Sequence, residues 1–440
     1  MKILIRSGMT PFDNPTVQKT LEHEKFGSNV GNLVYQYSIY RHLSVDGNIL
    51  VPDNYSLDFS DERADFINQN FDVYIIPLAD AFRNDFRRHL RAYTKLIRKL
   101  NIPVHVVGVG VRMEYDPDFT TEREYGEDTK EFVKAVLEKS PMLGLRGEFT
   151  GEYLKQLGFI PEKDFTVIGC PSMYTFGSDL HIRDLDLNSQ SFISLNGSQQ
   201  MNPNTINLMN NIATQYENHN FVPQLYPELV PIYGGGPSFK AVNGYPASVE
   251  HDFYKEGKIS FPLNARTWFE YMRNVDLSIG TRLHGNITGT INGAPTITIV
   301  GDARVQELAR YHHLPSVPLQ KITESVDLDY LLENIDVKSS EKVQGRNFRH
   351  YVDFLNKLGI NHLFNISSSN EGYLEENSEF DKKIKSERFN SMVHSINSVG
   401  DREKMQRIEF TTNWYKAKKV REIQNLKRKN EKLQQIINNK

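Results

Sequence analysis

Short runs of branched apolar residues recur along the chain, each followed by a stretch whose apolar positions return every three or four residues. Runs at 2–6, 48–51, 72–77, 103–108, 142–145 and 165–168 predict strands. The stretches between them predict amphipathic helices, most clearly at 86–100 and 149–157, with a further helix at 33–43. Strands alternating with helices imply a parallel sheet covered on both faces. A second such set begins with a strand at 191–195 and continues through helices at 204–216 and up to about Asn274. It closes with a helix at 341–358. Between these elements, 226–264 is rich in glycine and proline, with Gly234-Gly235-Gly236-Pro237 at its centre, and reads as an inserted loop or lid over a cleft.

The sharpest pattern lies at 275–304. A buried strand at 275–279 runs through Gly280 into Arg282-Leu283-His284-Gly285, which opens a helix. A strand at 295–300 runs into Gly301-Asp302-Ala303-Arg304, which opens the next. Basic residues therefore stand where loops leave the carboxyl ends of strands, the edge at which open α/β sheets bind ligands. Arg282 and His284 are two residues apart, so an extended backbone would point both to one side. A fixed cation beside a titratable imidazole suits an anionic substrate that also needs a proton moved.

After Phe364 the pattern changes. A polar, acidic linker at 365–380 is followed by a charged helical tail at 381–440, leaving α/β domains at 1–180 and 181–364. From Asp401 onward there are 12 Lys and Arg against 5 Asp and Glu, although the whole 440-residue chain carries a formal net charge of −3. In the tail Ile423, Leu426, Asn430, Leu433 and Ile437 are spaced 3, 4, 3 and 4, which places Asn430 at an a position between leucines at d. The tail accordingly has three readings: a homodimeric coiled coil, a helix packed on the body, or a peripheral contact with an anionic membrane aided by Trp414, Tyr415 and the lysines.

Composition narrows the classes. Hydrophobic residues make up 39% and charged residues 24%, as in ordinary globular proteins. The mild negative charge argues against a nucleic-acid partner. The single cysteine, Cys170, allows no intramolecular disulfide and no thiolate zinc cage, and fits a cytoplasmic setting. Cys170 itself lies in a Gly-Cys-Pro turn with no assignable partner. Adjacent His312 and His313 diverge by about 100° on a helix, so no metal is expected there. Asp80, Arg83, Asp85 and Arg87 read as a charged helix start, and Asp302 as a helix N-cap.

Three blocks of the chain resemble the polysaccharide pyruvyl transferases. The strongest is Ser278-Ile279-Gly280-Thr281-Arg282-Leu283-His284-Gly285, continued by Asn292-Gly293-Ala294-Pro295 and Gly301-Asp302-Ala303-Arg304. The others are Leu145-Arg146-Gly147-Glu148 with Leu157-Gly158, and Ile168-Gly169-Cys170-Pro171-Ser172; Asn29-Val30-Gly31-Asn32 adds a weaker fourth. The resemblance implies two Rossmann-like domains facing a cleft, a glycosyltransferase-B-like fold that the two alternating sets also suggest. It implies transfer of the enolpyruvyl carbon of phosphoenolpyruvate onto a saccharide as a ketal, with phosphoenolpyruvate as donor and no cofactor. The acceptor would be a sugar of a surface polysaccharide or of its lipid- or nucleotide-linked precursor, at the inner face of the membrane. His284 is then the expected acid/base. Arg146, Arg282 and Arg304 are expected to hold the anion, with Gly31 and Asn32 shaping a turn near the cleft and offering the substrate backbone donors. Two positions depart from the family's habit, with Arg304 in place of a lysine and Asn32 in place of an aspartate. A nucleotide-sugar glycosyltransferase of the same fold is the alternative, and a non-catalytic glycan-binding scaffold a third.

Overall fold

In the computed structural model, which describes residues 1–366 and 378–438, the two alternating sets fold into two parallel sheets. The first contains β1 (Lys2–Ile5), β2 (Ile49–Pro52), β3 (Val73–Pro77) and β4 (Val104–Val107) in the order β2-β1-β3-β4. β5 (Leu143–Leu145) and β6 (Phe165–Val167) pair in parallel and lie beyond β4, linked by a bridge between Val109 and Leu145. The second half contributes β7 (Ile193–Asn196), β8 (His219–Phe221), β9 (Ser260–Phe261), β10 (Leu277–Gly280), β11 (Thr296–Val300) and β12 (Ser316–Pro318). All of these except β9 form one parallel sheet, in the order β12-β11-β10-β7-β8.

Central strands such as Val-Tyr-Ile-Ile-Pro of β3 and Thr-Ile-Thr-Ile-Val of β11 are buried along their whole length. That is why they read as continuous runs, since a parallel sheet covered by helices has no wet face. The carboxyl ends of the two sheets open onto one cleft. Its wall includes Arg6 after β1, Asp80 after β3, Arg112 after β4 and Arg146 after β5 on one side. Ser198 after β7, Gln224 after β8, Arg282 after β10 and Asp302 after β11 stand on the other. This is the two-domain, glycosyltransferase-B-like arrangement.

The segment 226–264 is not a lid. It holds the helices Tyr226–Gly234 and Asp252–Lys255 together with β9, and Leu229, Ile232, Phe253 and Tyr254 are all buried. Pro227 stands in the first turn of its helix, where a missing N–H costs nothing. Glu228 accepts from the N–H groups of Gln224 and Leu225, completing the helix start.

Most of the linker expected at 365–380 lies outside the described residues. The chain beyond it is tied to the body. Asp381, in the helix Glu379–Ser386, receives two hydrogen bonds from the buried Arg41 guanidinium at 2.9 and 2.8 Å. β13 (Val393–His394) pairs antiparallel with β9. The long helix Asp401–Asn438 is pinned by Trp414, whose indole N–H donates to the Leu21 carbonyl at 2.7 Å. Among the described residues no helix is long and apolar enough to cross a membrane.

Candidate active site

The cleft between the two sheets has a volume of about 1030 Å³. Arg146, Arg282, His284, Arg304 and Asn32 all line it. Gly31 stands directly behind His284 at the start of the helix Gly31–Leu43, where a Cβ would lie 2.9 Å from that of His284. Only a glycine lets this helix start approach the imidazole so closely. The Asn32 side chain donates to the Phe26 carbonyl at 2.9 Å and so braces the turn that leads into the helix.

Arg282 is the N-cap residue of the helix Leu283–Ile291. Its backbone N–H donates to the Asn196 side chain at 2.7 Å and its Nε to the Gly197 carbonyl at 2.8 Å. Its Nη2 is buried with no partner. Arg146 is similar. It is buried, its Nε donates to the Gly108 carbonyl at 2.9 Å, its guanidinium lies 5.4 Å from the Tyr35 ring centre, and its Nη2 is likewise unpaired. Buried guanidinium donors without acceptors are costly unless something else supplies the acceptor.

Arg304 is held differently. Its Nη2 lies 3.3 Å from Asp302 and its Nη1 3.7 Å from Asp80, across the cleft. Asp302 caps the helix Ala303–His312 by accepting from the Val305 N–H at 2.9 Å, the role expected of it. Arg83, Asp85 and Arg87 do stand at a helix start, the short turn Asn84–Phe86 that leads into the helix Arg87–Lys99, but Asp80 precedes it. Asp80 is the centre of a cluster in which Arg112 Nε donates to it at 2.9 Å and Arg83 Nη1 lies 2.8 Å away. Burial pushes its carboxyl up, but Arg304, Arg83, Arg112 and Arg146 outweigh that and hold it well below the usual carboxylate range. Asp80, Arg83 and Arg112 were not distinguished by sequence pattern. Their signal was position, since each follows the carboxyl end of a strand as Arg146 does.

The ordinary imidazole pKa expected for His284 does not hold in the open cleft. Burial, then the positive charges of Arg146 and Arg304, lower it to about 3 despite the opposing influence of Asp80. His284 is therefore neutral there, and an anion among these arginines would offset their part of the shift while leaving the larger part, that of burial. Its Nε2 lies 3.9 Å from the Cys170 thiol sulfur, so Cys170 does have a histidine beside it. A second ring, that of His312, accepts from the Cys170 backbone N–H at 2.8 Å, and burial lowers His312 to about 3. Gly169 makes room for that ring: it adopts φ +74°, and a Cβ would fall 2.3 Å from His312 Nε2. His313 ends its helix in the left-handed region and gives its carbonyl to Ser339 and Ser340. Among the described residues no group of three or more His, Cys, Asp or Glu side chains is placed to hold a metal ion.

Glu307, one further buried acid, reaches across from the helix Ala303–His312 to the helix Glu148–Gln156. It accepts from the Thr150 N–H at 3.0 Å and from the Thr150 hydroxyl at 3.0 and 3.1 Å. Burial raises it to about 7 against the opposing pull of these bonds and of Arg146.

Comparison with known proteins adds a family to this geometry. A family model described as polysaccharide pyruvyl transferase matches residues 29–302, more than half of the chain. No curated protein matches the chain significantly. Among solved structures, the chain is similar to UDP-GlcNAc 2-epimerase from Neisseria meningitidis bound to UDP-GlcNAc, at 12% identity and TM-score 0.43, covering 81% of this chain and 100% of that one. The UDP-GlcNAc 2-epimerase from Methanocaldococcus jannaschii in complex with UDP-GlcNAc and UDP is 13% identical at TM-score 0.42, over 81% and 99%. Anabaena Alr3699/HepE in complex with UDP is 11% identical at TM-score 0.38, over 84% and 98%.

Proposed function

Because this chain belongs to the polysaccharide pyruvyl transferase family, we propose that it transfers the enolpyruvyl carbon of phosphoenolpyruvate to a saccharide as a cyclic ketal. The saccharide belongs to a surface polysaccharide or to its lipid- or nucleotide-linked precursor, and the reaction runs on the cytoplasmic side. The observation that carries this reading is the shared cleft in which His284 stands among Arg146, Arg282 and Arg304, each of which keeps a buried donor without an acceptor, Nη2 in Arg146 and Arg282 and Nε in Arg304. A small molecule bearing both a phosphate and a carboxylate matches such donors, which bind anions in bidentate fashion.

Binding of the anion offsets the charge of Arg146 and Arg304, and His284 takes up a proton. It delivers that proton to the methylene carbon, leaving an oxocarbenium-like C2. One sugar hydroxyl adds to C2 and its proton returns to His284. The C2–O bond to phosphate breaks, the second hydroxyl closes the ring, and its proton leaves with inorganic phosphate. One hydroxyl proton has then reached the methyl group and the other the phosphate, so His284 ends as it began. The arginines stabilise charge on the departing phosphate, a contribution usually larger than the proton transfer itself. Gly31 gives the helix start its close approach, and Asn32 keeps the adjoining turn in shape.

Thermal-shift titration with phosphoenolpyruvate, beside UDP, GDP and CMP, tests the donor. A ligand at 100 times its Kd stabilises the native state by about 2.7 kcal/mol. The expected outcome is a shift with phosphoenolpyruvate alone, lost in Arg282→Ala. A shift with a nucleotide and none with phosphoenolpyruvate would transfer the assignment to a nucleotide-sugar glycosyltransferase.

A further inference from the structure

The helix Asp401–Asn438 touches the body along one face only. Arg407, Thr411, Trp414 and Lys418 mark that face, and beyond Lys418 each side chain through Glu431 is exposed. Eleven large hydrophobic residues are exposed among those described, and five of them stand on this one helix: Met405, Ile408, Val420, Ile423 and Leu426. Such a concentration on a helix end that leaves the body asks for a partner, because a helix largely without tertiary packing is marginal in water.

The apolar positions form a seam. Met405, Ile408, Thr412 and Tyr415 step by 3, 4 and 3, and Ile423, Leu426 and Asn430 by 3 and 4, with Leu433 and Ile437 continuing the register in sequence. Lys419 lies between the two runs, four residues from each, which is a single stutter in a heptad pattern. At 3.6 residues per turn the seam is turned by about 100° from the docked face, so docking covers only Tyr415 in part and leaves Met405, Ile408, Thr412, Ile423, Leu426 and Asn430 exposed.

We propose that this seam pairs with the same seam of a second copy of the chain, as a parallel two-stranded coiled coil. Three features select that occupant. The seam is two positions wide in seven, the width of a coiled-coil interface and narrower than the apolar face of a helix lying in a lipid surface. Asn430 falls at an a position, where an asparagine specifies register and a parallel pair. The flanking charges also complement one another across a parallel pair. Lys404 at g meets Glu409 at e of the second copy, and Glu422 at g meets Lys427 at e. The surrounding surface opposes association, because residues 416–432 carry eight Lys and Arg against two Glu. The dimer is therefore reversible and tightens as salt screens the like charges.

Sedimentation velocity of the full-length protein, over a range of concentrations at low and raised salt, tests the proposal. The expected result is a monomer–dimer equilibrium whose dimer fraction rises with both. Leu426→Lys should return the protein to monomer with an unchanged melting temperature of the α/β body, since the side chain is exposed and far from that core. Asn430→Cys should form a disulfide between copies on oxidation, which requires a parallel, in-register pair; the native Cys170 is buried. A monomer under all conditions would overturn the proposal, as would a dimer that survives Leu426→Lys. Monomeric protein that cosediments with phosphatidylserine-containing vesicles and is released by salt would overturn it too, and would assign the seam to a membrane surface.

Discussion

Two groups of arginines share the cleft, and they are held in opposite ways. Arg83, Arg112 and Arg304 gather round the carboxylate of Asp80. Arg146 and Arg282 are held by backbone carbonyls, those of Gly108 and Gly197, and each keeps a buried Nη2 with no partner. The first group is already neutralised in part, so a ligand anion must compete there with a fixed one. The second group is fixed by backbone carbonyls and makes no direct ion pair among the described residues, although the charge of Arg146 is felt by Asp80 and Glu307, so its unpaired donors stand ready for an arriving anion. Of the three arginines singled out in the sequence, Arg146 and Arg282 are the ones proposed to hold the ligand, while Arg304, which keeps a buried Nε without a partner, also bridges to Asp80 across the cleft.

Replacement of His284, the proposed acid/base beside the carbonyl-held pair, is expected to have the largest effect. Proton transfer by a positioned side chain contributes roughly 10²–10⁴-fold, so His284→Ala should lose about that much in kcat while its melting temperature barely changes. A variant that retains wild-type kcat would show that this histidine does not move the proton. The next contrast divides the arginines themselves. Hydrogen bonds to charged groups are worth about 1.5–3 kcal/mol, so Arg282→Ala should lower kcat/KM roughly 10- to 150-fold. Arg112 is 46% exposed and spends its donors on Asp80, so Arg112→Ala should cost roughly fivefold or less, in line with the weakness of solvent-exposed pairs. Equal losses in the two variants would erase the distinction between the groups. Asp80→Asn sharpens it from the other side. Removing the fixed anion should tighten phosphoenolpyruvate binding in a fluorescence or calorimetric titration. It should also destabilise the fold by about 3 kcal/mol, the scale for leaving buried charge unpaired.

The fold was legible wherever burial acts on both faces of a strand. The runs at 72–77 and 295–300 became β3 and β11 with one residue trimmed at the start, because a fully covered parallel strand is apolar throughout. The helix Tyr226–Gly234 was hidden by its own prolines and glycine, and its stability comes from burial of Leu229 and Ile232, which local propensity does not record. In the site, residues that follow a strand within a recognisable block, such as Arg282 and His284, could be found by reading along the chain. Asp80, Arg112 and Glu307 could not, because their roles come from partners 32, 157 and more than 200 positions away. Cys170 was opaque for the same reason: both of its histidines come from the other half of the chain.

The smallest expected effect is a matter of protons, and it tests whether the carbonyl-held arginines act on His284 as well as on the ligand. In the open cleft His284 is lowered to about 3, so at pH 7.5 it carries no charge. An anion bound beside Arg146 and Arg304 offsets their charges and raises it, and the proposed acid role requires that rise to carry it to the working pH, where binding takes up a proton. Calorimetric titration with phosphoenolpyruvate at pH 7.5, in two buffers of different ionisation enthalpy, should therefore show proton uptake in the wild type and none in His284→Gln. The unliganded protein gives the complementary sign. The folded value lies below the unfolded value of about 6.5, so the unfolded chain binds the extra proton as pH falls. The contribution of His284 to stability is complete above about pH 6.5 and is lost as pH drops toward its folded value near 3. His42 and His312, likewise lowered to about 3 by burial, give the same acid-side slope in wild type and variant. His284→Ala should make that slope shallower by at most one proton between pH 6.5 and 5, read from melting temperatures at the two ends. An unchanged slope together with unchanged proton uptake would mean that the imidazole already shares its charge with solvent, and that the arginines around it act on the ligand alone.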